Sequence, residues 1–460
     1  MKNFLFILAL VTGPSLFALG GTVTIKGVAE KDYWNTTLKA YTFDDYISGR
    51  QKQLGSTAID EKGYFTLTLN TPVTIFVMLR VENKQATLYC EPGSSYEVKL
   101  LAKDPDAVET VGVPVPVNLT FNITDTMELN FLIFRYDYYY DQFVERKASW
   151  TMKDAIEFEK RIDTFCVRVK RKFAYAHDAY FQDYIDYTCA GLKLTFKKNE
   201  TLYKEYIEHR PVQYNHQEYM NFLNAFLSNV LDGAAASAEM KKQVNNIESL
   251  ADISKYIGGL KYTGRDTLRE LGIAKVLEME FNDPSFKKEH LAGLLAAAST
   301  AFKTEENKKI AANLNYKFGR LLPGNTALPL SGTDMTGKTV SLGDFKGKYV
   351  YVAFFRSDCR VCEEQFRLIA DYKRKYGSKI EFLYVSIDKD PGEVKKFLER
   401  YPKTNWPVIV TSDEKVKEDY GIVAIPLYYL ITPQGTFMQS PAAEPGVDIE
   451  KVFDSILKKK

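Results

Sequence analysis

FKGKYVYVAFFRSDCRVC, residues 345–362, joins a predicted strand to a predicted helix and carries two cysteines separated by two residues. The apolar run Tyr349–Phe355 predicts a strand that is buried on both faces, and a helical pattern follows from about Arg360 to Tyr376. Strands and helices then alternate as far as VDIEKVFDSILKK near the chain end. This alternation predicts an α/β domain over residues 322–460.

The spacing of Cys359 and Cys362 predicts a redox-active pair. On the first turn of a helix, the two sulfurs come close enough to bond. The helix N-terminus offers free N–H groups and a partial positive charge, so the pKa of the first thiol should fall below about 8.5. A thiolate is the species that attacks a disulfide. We therefore expect Cys359 to be the nucleophile and the more deeply placed Cys362 to be the resolving thiol.

The charged neighbours of the pair act in opposite directions. Arg360 should stabilise the thiolate, whereas Asp358, Glu363 and Glu364 oppose it. Asp358 is also expected to cap the helix. Together these charges predict a moderately lowered thiol pKa and a pair that is reducing rather than strongly oxidising.

Two other roles for the cysteine pair are a zinc site and a static structural disulfide. Zinc commonly takes four ligands from two such pairs, or from one pair and histidines. The sequence has no second pair of this spacing, and its four histidines lie in another region without ligand spacing. No metal and no cofactor beyond the Cys359–Cys362 disulfide is therefore expected.

The first residues, MKNFLFILALVTGPSLFALGG, indicate a secretory signal peptide over residues 1–20, cut after Gly20. An uncleaved anchor is the alternative, but the apolar run is short for a bilayer. We therefore expect an extracytoplasmic, periplasmic protein, in a compartment where disulfides persist. The net charge of +2 indicates no nucleic-acid partner.

The rest of the chain divides into two compositional regions. Residues 21–117 contain short alternating strands and turn signals, which predict an antiparallel β-sandwich. Residues 118–321 show helical periodicity and predict an α-helical domain. Three isolated cysteines in these regions are expected to be small buried hydrophobes, with a Cys166–Cys189 disulfide as an open alternative: Cys90, Cys166 and Cys189.

Three segments resemble the extracytoplasmic TlpA/ResA-like thiol-disulfide oxidoreductases of thioredoxin fold. They are LPLSGTDMTGKTVSLGDFKGK (328–348), FKGKYVYVAFFRSDCRVC (345–362) and YGIVAIPLYYLITPQG (420–435). The resemblance covers about residues 322–460. It implies a cis bond before Pro426, with the proline packed against the disulfide, and an Ile425 backbone that pairs with a substrate strand.

The chain departs from this family at four positions. Asp358 stands where the family commonly has Trp, and Ile425 where it often has Thr. Ala353 and Gln365 replace the two familiar proton acceptors, a buried Asp and a Glu. The resemblance therefore leaves the proton acceptor open, with water or a side chain such as Glu364 in that role.

The resemblance implies a periplasmic disulfide reductase that acts on disulfide-bearing envelope proteins and is re-reduced by a membrane thiol electron donor. A peroxiredoxin-like peroxidase is one alternative, but the Pro and Thr of that pattern are Val352 and Arg356 here. The other alternative is an envelope binding or structural protein with a vestigial redox module. The length of the chain outside the redox domain favours it.

Overall fold

The computed structural model describes residues 21–104, 113–122, 125–148, 155–235, 237–246, 249–388, 390–411 and 413–458. The predicted signal peptide lies outside these residues. The chain divides into two compact units, Met1–Ala107 with Val115–Phe226, and Val108–Pro114 with Leu227–Lys460. This division runs through the region 118–321, and the three predicted domain boundaries stay a prediction.

The first unit begins with short strands in two sheets. The strands are β1 (Gly21–Ala29), β2 (Thr37–Phe43), β3 (Gln51–Ala58), β4 (Tyr64–Thr71), β5 (Ile75–Val81), β6 (Lys84–Cys90), β7 (Ser95–Leu100), β8 (Val115–Pro116) and β9 (Leu119–Phe121). One sheet has the order β4-β1-β7-β9 and the other has the order β3-β2-β5-β6-β8. Their apolar faces enclose one shared core.

The predicted strands of this region are present, but the predicted antiparallel arrangement is wrong for both sheets. β1 pairs in parallel with β7, and β6 pairs in parallel with β8. Hairpin neighbours must run antiparallel, whereas a strand that returns from the other sheet has no such constraint. β7 returns in this way, since β5 and β6 belong to the other sheet. The region therefore consists of two mixed sheets.

Helices follow the sheets within the first unit, as the sequence periodicity predicts. Aromatic side chains from α1, α2 and α3 form a second core, which includes Tyr89 of β6. Buried Asn130 docks α1 on this strand, because its amide exchanges hydrogen bonds of 2.7 and 2.9 Å with the Tyr89 backbone. The helices are α1 (Leu129–Ala148), α2 (Ala155–Lys172), α3 (Ala179–Lys193), α4 (Asn199–Tyr206) and α5 (Gln217–Ala235), and α5 contains the division between the units.

Within its described residues, the second unit contains five further α-helices before its sheet. They are α6 (Ala238–Asn245), α7 (Leu250–Gly258), α8 (Asp266–Met279), α9 (Lys288–Ala301) and α10 (Glu305–Gly319). Within the described residues no helix is both long enough and apolar enough to cross a bilayer. Arg320 follows α10 and donates to the Asp419 carbonyl at 2.8 Å, which ties this segment to the helix Glu414–Asp419 near the chain end.

The elements of the C-terminal region are β10 (Ser331–Asp334), β11 (Thr339–Ser341), β12 (Tyr349–Phe355), α11 (Arg360–Tyr376), β13 (Ile380–Ser386), α12 (Pro391–Glu399), β14 (Val408–Val410), α13 (Glu414–Asp419), β15 (Leu427–Ile431), β16 (Phe437–Gln439) and α14 (Ile449–Lys458). The C-terminal sheet has the order β11-β10-β14-β13-β12-β15-β16. Its centre is parallel, because β12 pairs with β13 and β13 with β14 in that sense, and β15 runs antiparallel beside β12.

The central strand β12 is buried on both faces, as its apolar run predicts. Tyr351, Ala353 and Phe355 contribute to a core that also holds side chains of α11, α12 and α14. Val350, Val352 and Phe354 contribute to the core on the other face. The two cores hold β12 in place, so the turn after Phe355 starts from a rigid edge of the sheet.

Candidate functional site

The cysteine pair lies where β12 passes into α11. Cys359 is the N-cap of the helix, and its sulfur accepts a hydrogen bond from the Cys362 N–H at 3.2 Å. The two sulfurs form a disulfide in this structure. The end of the strand and the first helical turn therefore bring the two thiols together without help from distant parts of the chain.

The two cysteines differ in exposure. Cys362 is 1% exposed and belongs to the core between β12 and α11. Cys359 is only partly buried and packs at the border of the same core. An incoming sulfur can therefore approach Cys359 from solvent, whereas Cys362 is accessible only from within the pair.

The charged neighbours are placed differently from the prediction. Asp358 does not cap the helix, because Cys359 occupies the N-cap and Asp358 instead pairs with Arg356. Arg360 is 90% exposed and pairs with Glu364 at 3.2 Å. The positive charge of Arg360 is thus compensated by a carboxylate one turn along the helix.

Glu363, the other acid of the first turn, is held by donors outside the pair. Its Oε1 accepts a hydrogen bond from the Tyr401 hydroxyl at 2.5 Å, and it pairs with Arg400 at 3.2 Å and Arg367 at 3.3 Å. These contacts, the tyrosine hydrogen bond first, lower the pKa of Glu363. The negative charge of Glu363 is therefore compensated by Tyr401, Arg400 and Arg367.

Ile425 and Pro426 precede β15, the strand that borders β12. Their peptide bond is cis, which agrees with the geometry that the resemblance implies. Ile425 is partly buried and packs against the core that includes Cys362, at whose border Cys359 also lies. The structure therefore places Ile425 beside the same core as the pair, and the substrate-pairing role of its backbone stays a prediction.

Ala353 and Gln365, which stand where the resembled family has its two acidic proton acceptors, are both buried. Ala353 is 1% exposed in the middle of β12. Gln365 is 8% exposed and accepts a hydrogen bond from the Tyr428 hydroxyl at 2.6 Å. Its amide also donates to the Glu444 carboxylate at 2.6 Å. A carboxylate thus reaches the buried face of α11 from the segment after β16, which sequence reasoning missed.

A second carboxylate beside the pair was also missed. Asp388 follows β13 and is 8% exposed. It accepts hydrogen bonds from the Ser357 N–H at 2.9 Å and the Ser357 hydroxyl at 2.8 Å. Its position directly after a buried strand was a usable signal, because the carboxyl ends of neighbouring parallel strands share one edge of the sheet.

The other three cysteines are free and buried: Cys90, Cys166 and Cys189. The alternative of a Cys166–Cys189 disulfide is therefore not present in this structure, although the two side chains are hydrogen-bonded to each other. Burial raises the pKa of the Cys90 thiol well above its ordinary value. Across the described ranges, no group of three or more His, Cys, Asp or Glu side chains is arranged to hold a metal ion.

Comparison with known proteins finds similarities in the C-terminal part of the chain. Residues 323–440 match the AhpC/TSA family. The thiol-disulfide oxidoreductase ResA of Bacillus thuringiensis subsp. konkukian (strain 97-27) is 30% identical over 113 residues, which are 24% of this chain and 65% of that protein. ResA of Bacillus subtilis (strain 168) is 31% identical over 103 residues, 22% of this chain and 57% of that protein.

Among solved structures, the thioredoxin domain of a thiol-disulfide oxidoreductase from Bacteroides vulgatus is 28% identical. That likeness covers 30% of this chain and 99% of the other, with a TM-score of 0.28. The C-terminal part of the chain thus carries a segment, residues 323–440, that matches the AhpC/TSA family. Its relatives are ResA-like thiol-disulfide oxidoreductases. The chain spans less than two thirds of the length of these two ResA relatives.

Proposed function

We propose that this protein is an extracytoplasmic thiol-disulfide oxidoreductase that reduces protein disulfides through Cys359 and Cys362. The observation that carries the proposal is the unequal exposure of the two sulfurs, with Cys359 partly open and Cys362 at 1%. A partly exposed first thiol at a helix N-terminus is suited to attack a substrate disulfide, and a buried second thiol is suited to resolve the mixed disulfide.

The reaction balances in two exchange steps. The Cys359 thiolate attacks one sulfur of a substrate disulfide, and the other substrate sulfur leaves as a thiolate that takes up a proton. Cys362 then loses its proton and attacks the Cys359 sulfur, which releases the second substrate thiol. The substrate gains two electrons and two protons, and the pair becomes the disulfide that the structure contains.

The reducing direction is supported by the charges around the pair. Arg360 is the nearest cation along the chain, and Glu364 compensates it. The Cys359 thiolate therefore draws its stabilisation mainly from the helix N-terminus. A modestly stabilised thiolate favours a reducing pair, because strong oxidants are those whose reduced form is unusually stable.

The proposal includes a location and partners, which the sequence and the relatives support. The apolar start of the chain and the ResA-like relatives support a periplasmic site of action. There we expect disulfide-bearing envelope proteins as substrates and a membrane thiol electron donor that returns two electrons to the oxidised pair.

A redox titration of the purified mature protein tests this function, with Cys359→Ser as the control. We expect a two-electron couple near the roughly −270 mV of reducing dithiols rather than the roughly −120 mV of strong oxidants. Cys362→Ser should trap a mixed disulfide between Cys359 and a substrate. A midpoint above about −200 mV would reverse the direction of the chemistry.

The role of an envelope binding protein with a vestigial pair is the second candidate. It is favoured by Ala353 and Gln365, which leave the interior beside the pair without its two familiar acids. If the wild-type pair never cycles and removal of residues 21–320 abolishes partner capture, this role replaces the first. An isolated module that keeps its reductase activity would argue against it.

A further inference from the structure

Asp388 is a buried carboxylate that fastens the turn before Cys359 to the end of β13. Its Oδ2 accepts hydrogen bonds from the Ser357 N–H at 2.9 Å and from the Ser386 hydroxyl at 2.6 Å. Its Oδ1 accepts the Ser357 hydroxyl at 2.8 Å. All three donors are neutral, so they orient the carboxylate without cancelling its charge.

The charge lies close to the reacting sulfur. Ser357 precedes Cys359 by two residues. Two residues of chain reach at most about 7 Å, and the hydrogen bond to Ser357 and the cysteine side chain add about 3 Å each, which places the carboxylate within about 13 Å of the Cys359 sulfur. At that separation, with an effective dielectric constant near 20, one unit charge changes an ionisation constant about tenfold. An anion opposes the formation of a second anion beside it.

We propose that Asp388 is a positioning residue that also keeps the Cys359–Cys362 pair reducing, because its fixed negative charge disfavours the Cys359 thiolate. This inference rests on the proposed function. The reduced form of the pair contains the thiolate, so an anion that destabilises it lowers the reduction potential. Asp388 thus acts on the reaction through the charge and position of the turn, without contact to the substrate.

Asp388→Asn separates the charge from the hydrogen bonds. An asparagine oxygen can accept the Ser357 N–H and the Ser386 hydroxyl, while its NH₂ donates to the Ser357 hydroxyl oxygen, which turns to accept. With the charge removed, the thiolate fraction at pH 6 should rise about tenfold. Each thiolate becomes a weaker nucleophile as its pKa falls, so alkylation of Cys359 should be about threefold faster.

The measurement is the alkylation rate of the reduced full-length protein at pH 6, together with the reduction potential of the pair. Cys362 and the three other cysteines are buried, so alkylation of the native protein reports on Cys359. The potential should rise in the Asp388→Asn variant. Asp371→Asn is the matched control, because Asp371 is an exposed acid on α11, the helix that begins at the cysteine pair. Asp371 pairs with Arg374 at 2.6 Å.

Ser386→Ala is the charge-preserving comparison. It keeps the charge of Asp388 and removes one neutral donor, so alkylation should stay within about 1.5-fold of wild type. An Asp388→Asn variant that stays within about 1.5-fold of wild type overturns the proposal, as does a shift of both variants in the same direction. If wild-type Cys359 exchanges with no disulfide at all, the proposed function fails, while the order of alkylation rates still tests Asp388.

Discussion

Asp137 gives the first unit a pH dependence that can be measured. The residue lies in α1, half-buried, and its Oδ1 accepts a hydrogen bond from the Tyr184 hydroxyl at 2.9 Å. The pKa of its carboxyl is raised from 3.8 to about 7, mainly by burial. The Tyr184 hydrogen bond opposes this rise, and the nearby carboxylates of Asp141 and Glu218 contribute to it. The folded unit therefore holds a proton on Asp137 that the unfolded chain would release.

The sign of the effect follows from linkage. Because the pKa of Asp137 is raised in the folded state, its carboxyl does not destabilise the fold below about pH 4. The free energy of unfolding then falls as the pH increases from about 4 to about 7. A rise from 3.8 to about 7 corresponds to about 4 kcal/mol at about 1.4 kcal/mol per tenfold change. Partial contact with water reduces this loss to roughly 2–4 kcal/mol.

Asp137→Asn removes the titration and keeps an acceptor for the Tyr184 hydroxyl. The assay is hydrogen exchange of α1 and α3 amides between pH 4 and pH 8, corrected for intrinsic exchange rates. It reports the opening free energy of this unit, whereas unfolding of the whole chain mixes two compact units. Wild type should lose roughly 2–4 kcal/mol over this range, and the variant should lose less than half as much.

A smaller loss should remain in the variant, because burial also raises the pKa of Glu218. Asp141→Asn is the matched control, since it removes an exposed acid from the same helix and leaves the titrating group in place. Its pH dependence should persist with a slightly lower midpoint. An Asp137→Asn variant with the full wild-type pH dependence would refute the assignment of the effect to this carboxyl.

Two further predictions concern the cysteines and the C-terminal sheet. Oxidised native protein should react slowly with thiol reagents, and denaturant should expose three thiols; a count of one would mean a second disulfide. Burial opposes ionisation of Glu381, but hydrogen bonds from Lys348 and Lys373 lower its pKa. Since the folded pKa is depressed, Glu381 stabilises the sheet above about pH 4.5 and less so as the pH falls. Glu381→Gln should therefore cost about 1–3 kcal/mol at pH 7, and little at pH 3, in the opening free energy that hydrogen exchange of β12 and β13 amides reports. Glu393→Gln, in an exposed pair with Lys396, should cost less than about 0.5 kcal/mol at either pH.

The strand and helix that carry the cysteine pair could be predicted from the sequence to the residue. The predicted strand Tyr349–Phe355 and helix Arg360–Tyr376 match β12 and α11. Both signals are local, because an apolar run and a three-to-four-residue period each arise from neighbouring residues. The predicted N-cap, Asp358, was wrong for a local reason as well. The helix begins one residue later, so that Cys359 is its N-cap.

The strand directions in the first unit depended on contacts far apart in the sequence. Alternating residues predict that a strand has one buried face, but they carry no information on which strand lies beside it. β1 lies between β4 and β7, and the β7 register depends on the path of the chain through the other sheet. The mixed sheets could therefore not be predicted from the residue patterns of single strands.

The sequence by itself determined the chemistry, because the two thiols, the strand before them and the helix after them are contiguous within residues 349–376. Only the tertiary structure decided which carboxylates surround that chemistry. Asp388 meets Ser357, and Glu444 meets Gln365, across separations of 31 and 79 residues. Such contacts depend on how strands are ordered in the sheet and how loops pass over its edge, and no local pattern specifies either.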